Sequence, residues 1–476
     1  MFQGIIFGVV AILGVAAYFI FKGERKKYFH ITLKILAVLY LAVAFFRYIM
    51  PDAFIWVING GRYGDGYFLN IDIQQSVLRW GHNLSYTVLV IAVFFNNRLL
   101  KNISIYVCLP FAILSTVFFG NFIDYFMMSG GRGVVLPELF RQIYFSLELV
   151  LAMLIPVLMV VVDRHYFHVK DKIEWRNFLV SLPFICIILI PPYIPQSFFG
   201  YTGISITALT VSNLIWILVT ITEISVIYII FRFSDRHTRL TVCWFLALGL
   251  FMHYNTMYLM GLSFERLPFQ LCNLGAYFFP IALLIKNRAF FNFTFLANIM
   301  GTIIAMVAPD TGGGLASFFN IHFIMEHMQV LTVPSMMMLL RIFPRVDKTA
   351  LKHLIVGFSM YCLSCWLLGT IINGFVTADQ KVNYFYLFDL DKGFDYFPFI
   401  RFSENFTYVI LGRFEIYPIF QLLIFGGFLF GCVMLYFLVL KLYAILDDHL
   451  ELRRARIDMQ EKITGKVSKS KKEFVD

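Results

Sequence analysis

Charged residues are scarce in this chain. Asp, Glu, Lys and Arg make up 14% of its 476 residues, whereas hydrophobic residues make up 60%. Soluble domains carry about 25% charged residues because water must solvate their surface. The low charge and the mean hydropathy of +0.77 therefore exclude a soluble globular protein. They predict an all-α, polytopic membrane helix bundle.

Signatures of secretion and disulfide scaffolds are also missing. The N-terminus has no leading basic region and no small-residue cleavage site, so we interpret residues 3–21 as a first transmembrane helix that is not removed. All seven cysteines lie within apolar runs, which argues against a disulfide framework in an exported loop. Cys362 and Cys365 form a C-x-x-C inside a predicted span, which favours a packing pair over a redox or metal site.

Motifs for nucleic acids, phosphates and cofactors are absent as well. The formal net charge is +10, but the basic residues lie beside hydrophobic spans, as expected of loops that face anionic lipid. The glycine run 312–314 lacks the Lys-Ser/Thr ending of a phosphate loop. We therefore expect no nucleic-acid partner and no cofactor.

Long apolar runs are what the chain has in abundance. About twenty apolar residues cross roughly 30 Å of hydrocarbon. On this rule the sequence predicts about thirteen transmembrane helices, near 3–21, 31–50, 78–96, 102–119, 142–162, 176–195, 208–231, 240–260, 268–286, 291–309, 321–342, 352–374 and 416–441. Every odd-numbered span is followed by a basic loop. The positive-inside rule then predicts a cell-membrane protein with its N-terminus outside and its C-terminus in the cytoplasm.

Two parts of the chain resemble each other. The run RWGHNLS at 79–85 matches RLPFQLC at 266–272, and Glu148 with Pro156 matches Glu326 with Pro334. The order of these matches predicts two parallel six-helix repeats after an extra N-terminal helix. The predicted units are 1–30 for the extra helix, 31–238 for a degenerate repeat, 239–445 for a second repeat and 446–476 for a basic cytoplasmic tail.

Reactive side chains are concentrated in the second repeat. Cys272 lies near the start of one span, and His322, Glu326 and His327 lie in the first turns of another. The predicted topology places them at one depth, on the outer side of the membrane. The first repeat has Ser85 and Leu149 at the positions of Cys272 and His327. A Cys–His pair would therefore be confined to the second repeat, with His327 taking the proton of the thiol.

Other polar residues are expected to support this pair. The full supporting set is Asn273, Asp310, His322, Glu326 and His253. Asp310 or Glu326 is suited to orient an imidazole, but Glu326 also has a counterpart in Glu148, which argues against Glu326 as the catalytic acid. A metal site from His322, His327 and Asp310 is the weaker alternative, because no established ligand spacing is present. We predict no metal.

The second repeat resembles a known family at these residues. The run RLPFQLCN at 266–273, then Pro280, Asn287, Asp310 with its glycines, and His327, resemble the YwaF-type integral membrane proteins over roughly residues 240–440. A eukaryotic relative of that family is a membrane acyltransferase that remodels ether phospholipids. The resemblance implies that Cys272 accepts an acyl group and His327 acts as its base. The sequence has Phe269-Gln270 where the family pattern has a Leu-His pair.

Three functions remain open from the sequence. The first is a Cys/His acyltransferase or lipid-remodelling enzyme at the outer membrane interface, with a phospholipid or acyl donor as its partner. The second is a secondary transporter built from two six-helix halves, for which Glu223 in the seventh span is the best feature. The third is a non-catalytic lipid-binding or assembly protein. The sequence does not indicate an oligomeric state.

Overall fold

The structure is a computed structural model of the whole chain. It describes residues 1–49, 70–95, 98–120, 137–164, 175, 208, 210–234, 236–255, 264, 267–309, 318–377, 381–390 and 398–463. Within these residues the chain is almost entirely helical. This agrees with the predicted all-α membrane bundle.

The first half of the chain contributes seven of these helices. They are α1 (Phe2–Ile20), α2 (Phe29–Ile49), α3 (Asn70–Phe95), α4 (Arg98–Ile103), α5 (Leu109–Val117), α6 (Glu138–Val161) and α7 (Val211–Phe231). A 3-10 segment, Gly23–Tyr28, precedes α2. A π-helical segment, Ser104–Cys108, joins α4 to α5. It lies just before Pro110, which has no backbone N–H to continue a regular hydrogen-bond ladder.

The second half contributes six helices and one small hairpin. The helices are α8 (Arg236–Asn255), α9 (Leu271–Ile285), α10 (Arg288–Val307), α11 (Phe318–Leu339), α12 (Lys348–Asn373) and α13 (Pro418–Ile463). Strands β1 (Tyr408–Ile410) and β2 (Phe414–Ile416) pair antiparallel between α12 and α13. Two 3-10 segments, Tyr384–Tyr386 and Pro398–Phe406, precede the hairpin.

Helices occupy twelve of the thirteen predicted spans, with α4, the π-helical segment and α5 together filling the fourth. The sixth span, 176–195, lies outside the described residues. Among the described helices, eight are long and apolar enough to cross a membrane, and three shorter apolar helices accompany them. The count of thirteen spans therefore stays a prediction. One difference is at the C-terminus, where α13 continues to Ile463 instead of ending near residue 441.

Side-chain caps explain several helix starts. The Thr210 hydroxyl accepts a hydrogen bond from the N–H of Asn213 at the start of α7. The Asn287 side chain accepts one from Phe290 at the start of α10, and the Asp347 side chain accepts one from Thr349 at the start of α12. These residues are favoured caps because their oxygens satisfy N–H groups that have no partner within the helix.

Helix packing follows similar patterns in the two halves. In the first half α2 packs against α3 and α6, α3 packs against α6, and α1 lies along α6. In the second half α8 packs against α9 and α11, and α9 packs against α11, while α7, the last helix of the first half, lies along α11. The halves also meet where α3 contacts α8. In the second half, α10 packs against α9, α11 and α12.

Candidate active site

Cys272 is the second residue of α9 and is only partly buried. The turn that precedes it is anchored by α12. The Phe269 carbonyl accepts a hydrogen bond from the Tyr361 hydroxyl at 2.8 Å and another from the Cys365 thiol at 3.5 Å. Cys362 and Cys365 are both buried free thiols. The C-x-x-C thus contributes to packing and anchors the start of α9.

A second anchor comes from the segment after α12. The Gln270 amide donates to the Asn383 carbonyl at 2.7 Å, and its oxygen accepts from the N–H of Phe385 at 3.1 Å. The Tyr384 hydroxyl also donates to the Phe264 carbonyl. One glutamine side chain therefore fixes the segment 381–390 over the beginning of α9.

The first turn of α9 is open to an anion. Gln270 is the N-cap residue, but its side chain makes no capping bond. The backbone N–H groups of Cys272 and Asn273 lie close enough to the Cys272 sulfur to interact with it. Helix N-termini favour negative charge, including a thiolate. The same N–H groups are suited to stabilise an oxyanion.

Two polar side chains accompany the thiol. The Cys272 thiol donates to the Asn273 side-chain oxygen at 3.3 Å. Glu326 of α11 interacts electrostatically with the thiol, since α9 and α11 pack together. Glu326 is 4% exposed. The thiol therefore lies within the electrostatic influence of a buried carboxyl group.

Glu326 in turn lies beside a pair of histidines. Its Oε2 atom is 3.6 Å from Nδ1 of His322, as expected of residues four apart on one helix. The His322 ring stacks on His253 of α8, with ring centroids 4.6 Å apart. Backbone carbonyls hold both rings, since His253 Nε2 bonds to the His322 carbonyl and His322 Nε2 to the Tyr254 carbonyl.

His327 has a different environment on α11. Its Nδ1 bonds to the Phe323 carbonyl one turn earlier, at 2.7 Å, and its ring packs on the Phe323 ring. An Nδ1–H donor leaves Nε2 as the acceptor in the neutral ring. Within the described part of the chain, no hydrogen bond joins the Cys272 sulfur to this imidazole.

A further carboxyl group lies deeper, at the interface of α7 and α11. The two oxygens of Glu223 accept hydrogen bonds from the Gln329 amide at 3.0 Å and from the Thr332 hydroxyl at 3.4 Å. Glu223 is in the middle of α7. Its two partners hold a carboxyl group in place within an apolar helix.

The structure thus groups the predicted residues into one connected set. Cys272 and Asn273 meet Glu326, which meets His322, which meets His253. His327 lies on the same helix as Glu326 but bonds elsewhere. Asp310 lies outside the described residues. Across the described ranges, no group of three or more His, Cys, Asp or Glu side chains is arranged to hold a metal ion.

Sequence reasoning missed several residues around this set. The roles of Gln270, Tyr361 and Asn383 as anchors depend on contacts across more than 90 residues of sequence. Asn298, buried in α10, gave a usable signal, because an amide side chain inside a membrane span is costly unless it serves a purpose.

The comparisons with known proteins bear on the second half of the chain. Residues 205–439 match the model of the TMEM164 family, a family of transmembrane proteins. The match begins just before α7 and ends within α13, so it contains every described candidate residue. Neither a search of curated proteins nor a search of solved structures gave a match. This similarity and the long apolar helices together identify a multi-pass membrane protein.

Proposed function

We propose that this protein transfers acyl groups between lipids at the membrane interface, through a thioester on Cys272. The observation that carries the proposal is the position of the thiol in the first turn of α9, beside backbone N–H groups and a buried carboxyl group. A thiolate there would attack an ester carbonyl, and the N–H groups would stabilise the oxyanion that forms.

His327 has the tautomer that a general base requires. Because its Nδ1 bonds to the Phe323 carbonyl, Nε2 carries the lone pair. We propose that Nε2 accepts a proton during the reaction, after the ring or the substrate moves into reach. Geometry in a resting enzyme is often looser than in its complex with substrate.

Labelling with a lipid tests the proposal. Purified protein in vesicles would receive phosphatidylcholine or phosphatidylethanolamine with an alkyne-tagged acyl chain. We expect label on the Cys272 peptide that hydroxylamine removes, and no label on Cys272→Ala. The variant Cys432→Ala, which removes a buried thiol of α13, is the control and should label normally. Absence of label with both lipids would contradict the proposal.

Secondary transport is the second candidate, and Glu223 favours it. An intramembrane carboxyl group with two hydrogen-bonding partners on a neighbouring helix is suited to carry a proton. Proteoliposomes with a trapped pH-sensitive dye and an imposed pH gradient test this function. A proton flux that Glu223→Gln abolishes would favour transport, whereas equal flux in protein-free vesicles would exclude it.

The two halves are proposed to be copies of one unit. The support is the parallel packing, with α1 on α6 matching α7 on α11, and α2 on α3 matching α8 on α9. These pairs favour units that begin at α1 and α7, one helix earlier than the boundaries at 31 and 239. On that division α13 is the additional helix. Co-expressing residues 1–204 with residues 205–476 should give a complex that purifies through a tag on either part.

We also propose the orientation that the basic loops predict, with the N-terminus outside and the C-terminus in the cytoplasm. It places the start of α9, and therefore Cys272, on the outer side of the cell membrane. A tag at each terminus would be digested by protease added to intact cells only at the N-terminus. Digestion of the C-terminal tag would reverse the orientation and move the site to the cytoplasmic face.

A further inference from the structure

Glu326 carries a buried oxygen atom without a partner. Its Oε2 lies near His322, but its Oε1 makes no hydrogen bond to any residue that the structure describes and is buried. A buried acceptor without a hydrogen bond is costly, so native proteins rarely keep one without a reason. Glu326 is also the acidic side chain that interacts with the Cys272 thiol across the α9–α11 interface. The orphaned oxygen therefore belongs to the carboxyl group that acts electrostatically on the thiol.

In this structure His327 does not take the place of Glu326 beside the Cys272 thiol. Its protonated nitrogen is directed at the Phe323 carbonyl on its own helix. Successive residues of a helix are rotated by about 100°. Because α11 packs against α9 with Glu326 interacting with Cys272, the neighbouring His327 occupies a different face of α11.

We propose that Glu326 accepts the proton of Cys272, an assignment that rests on the proposed acyl transfer. The proton passes from Sγ to Oε1, and the sulfur bonds to the carbonyl carbon of the lipid ester. The ester C–O bond then breaks, and the leaving lysolipid oxygen takes the proton back from Glu326. In the second half of the reaction an acceptor hydroxyl gives up its proton and attacks the thioester. His327 takes the hydroxyl proton, the C–S bond of the thioester breaks, and the leaving thiolate recovers that proton, which restores the Cys272 thiol and the neutral imidazole.

The first half of the chain offers a matched control. Glu148 of α6 is as buried as Glu326 and lies 3.7 Å from a histidine, His82. Ser85 stands where the second half has Cys272. Replacing Glu148 by Gln therefore removes a comparable buried carboxyl group that lies outside the Cys272 site.

Two measurements on Cys272 distinguish a chemical role of Glu326 from a structural role of Glu326. The first is the rate of acyl labelling, and the second is the rate of alkylation by iodoacetamide, both measured on the Cys272 peptide by mass spectrometry. In Glu326→Gln we expect acyl labelling to fall by about 10²-fold, because the thiol proton has lost its acceptor. Alkylation above pH 8 should rise several-fold, because a carboxylate no longer repels the thiolate. Glu148→Gln should change neither rate.

The pH profile of alkylation adds an independent test. Among the described residues, other ionisable groups around the pair are His322 and His327 on α11, His253 on α8, and Tyr361, Cys362 and Cys365 on α12. Coupling between Glu326 and Cys272 should give two titration steps in the unmodified protein and one step in Glu326→Gln. The histidine variants His322→Gln and His327→Gln should keep the two steps.

Each result has a defined meaning. A fall in both rates for Glu326→Gln would show a structural role and overturn the proposal. Unchanged acyl labelling, or an unchanged alkylation profile, would also overturn it. If the unmodified protein takes no acyl label, acyl transfer fails as a function. The alkylation profile then still decides whether Glu326 exchanges a proton with Cys272.

Discussion

The side-chain oxygen of Asn298 fills the space that a side chain at Gly275 would need. A Cβ atom at Gly275 would lie 2.6 Å from Asn298 Oδ1 and 3.1 Å from the Phe279 ring. This contact brings α10 against α9 one turn beyond Cys272. We expect Gly275→Ala to destabilise the protein by about 1–3 kcal/mol, as is typical of overpacked cores. Thermal unfolding in detergent micelles would measure the loss.

A glycine on the bundle surface provides the control for this substitution. A Cβ atom at Gly426 of α13 would meet nothing within 4 Å. Gly426→Ala should therefore keep or raise the unfolding temperature, because Ala is the better helix former. Equal losses in the two variants would show that the close approach at Gly275 has no energetic importance.

The Gln270 anchor should determine how well the segment 381–390 is ordered. In Gln270→Ala the buried N–H of Phe385 loses its acceptor, which costs about 1–3 kcal/mol. We expect hydrogen exchange at the Phe385 amide to accelerate at least about tenfold, measured by mass spectrometry. Gln142→Ala, which removes only an exposed bond to Glu138, should leave this exchange rate unchanged. Unaltered exchange in Gln270→Ala would contradict the anchoring role.

Asp347 should stabilise α12 mainly as a cap. Its Oδ1 accepts from the backbone N–H of Thr349 at 3.0 Å, and its Oδ2 lies 2.6 Å from the Arg288 guanidinium. Asp347→Ala should cost about 1 kcal/mol in thermal unfolding, typical of a lost N-cap. Asp347→Asn keeps an oxygen for the cap and should cost less, since the ion pair with Arg288 is exposed. A larger loss in Asp347→Asn would make the ion pair the dominant interaction.

The ion pair between Lys381 and Glu415 should give a small acid-sensitive stabilisation. The Lys381 ammonium, 2.8 Å away, and the Tyr417 hydroxyl lower the pKa of Glu415 below its usual value. A lowered pKa means that the stabilisation is present above the ordinary value of about 4.5. It is lost as the pH falls through the lowered value. Both side chains are partly exposed, so the contribution should stay below ~1 kcal/mol.

The pH dependence of Glu415→Gln tests this linkage. The variant should unfold at a slightly lower temperature than the unmodified protein at pH 7, and this difference should shrink as the pH falls below the ordinary pKa of Glu415. High salt should reduce the difference at pH 7, because it screens exposed charges. A difference that grows on acidification would contradict the assigned sign.

The helical architecture could be predicted from the sequence because the membrane imposes it. A span needs about twenty apolar residues, and its backbone must satisfy its own hydrogen bonds. Twelve predicted spans therefore coincide with helices. Asp347 and Asn287 are cap-forming residues at helix starts. The short helix that Leu446, Leu450 and Ile457 predict after the last span is not a separate element, because α13 continues without a break to Ile463.

The partners of Cys272 were decided by tertiary structure alone. The sequence alone shows that a thiol, a carboxyl group and three imidazoles are available, and it predicts that they lie at similar depth. The rotation of α11 about its own axis decides whether Glu326 or His327 is directed at the thiol. Neighbouring residues of a helix point in directions about 100° apart. Close contacts between helices, such as that of Gly275 in α9 with Asn298 in α10, determine how neighbouring helices pack. Such contacts join positions far apart in sequence, so no local pattern encodes them.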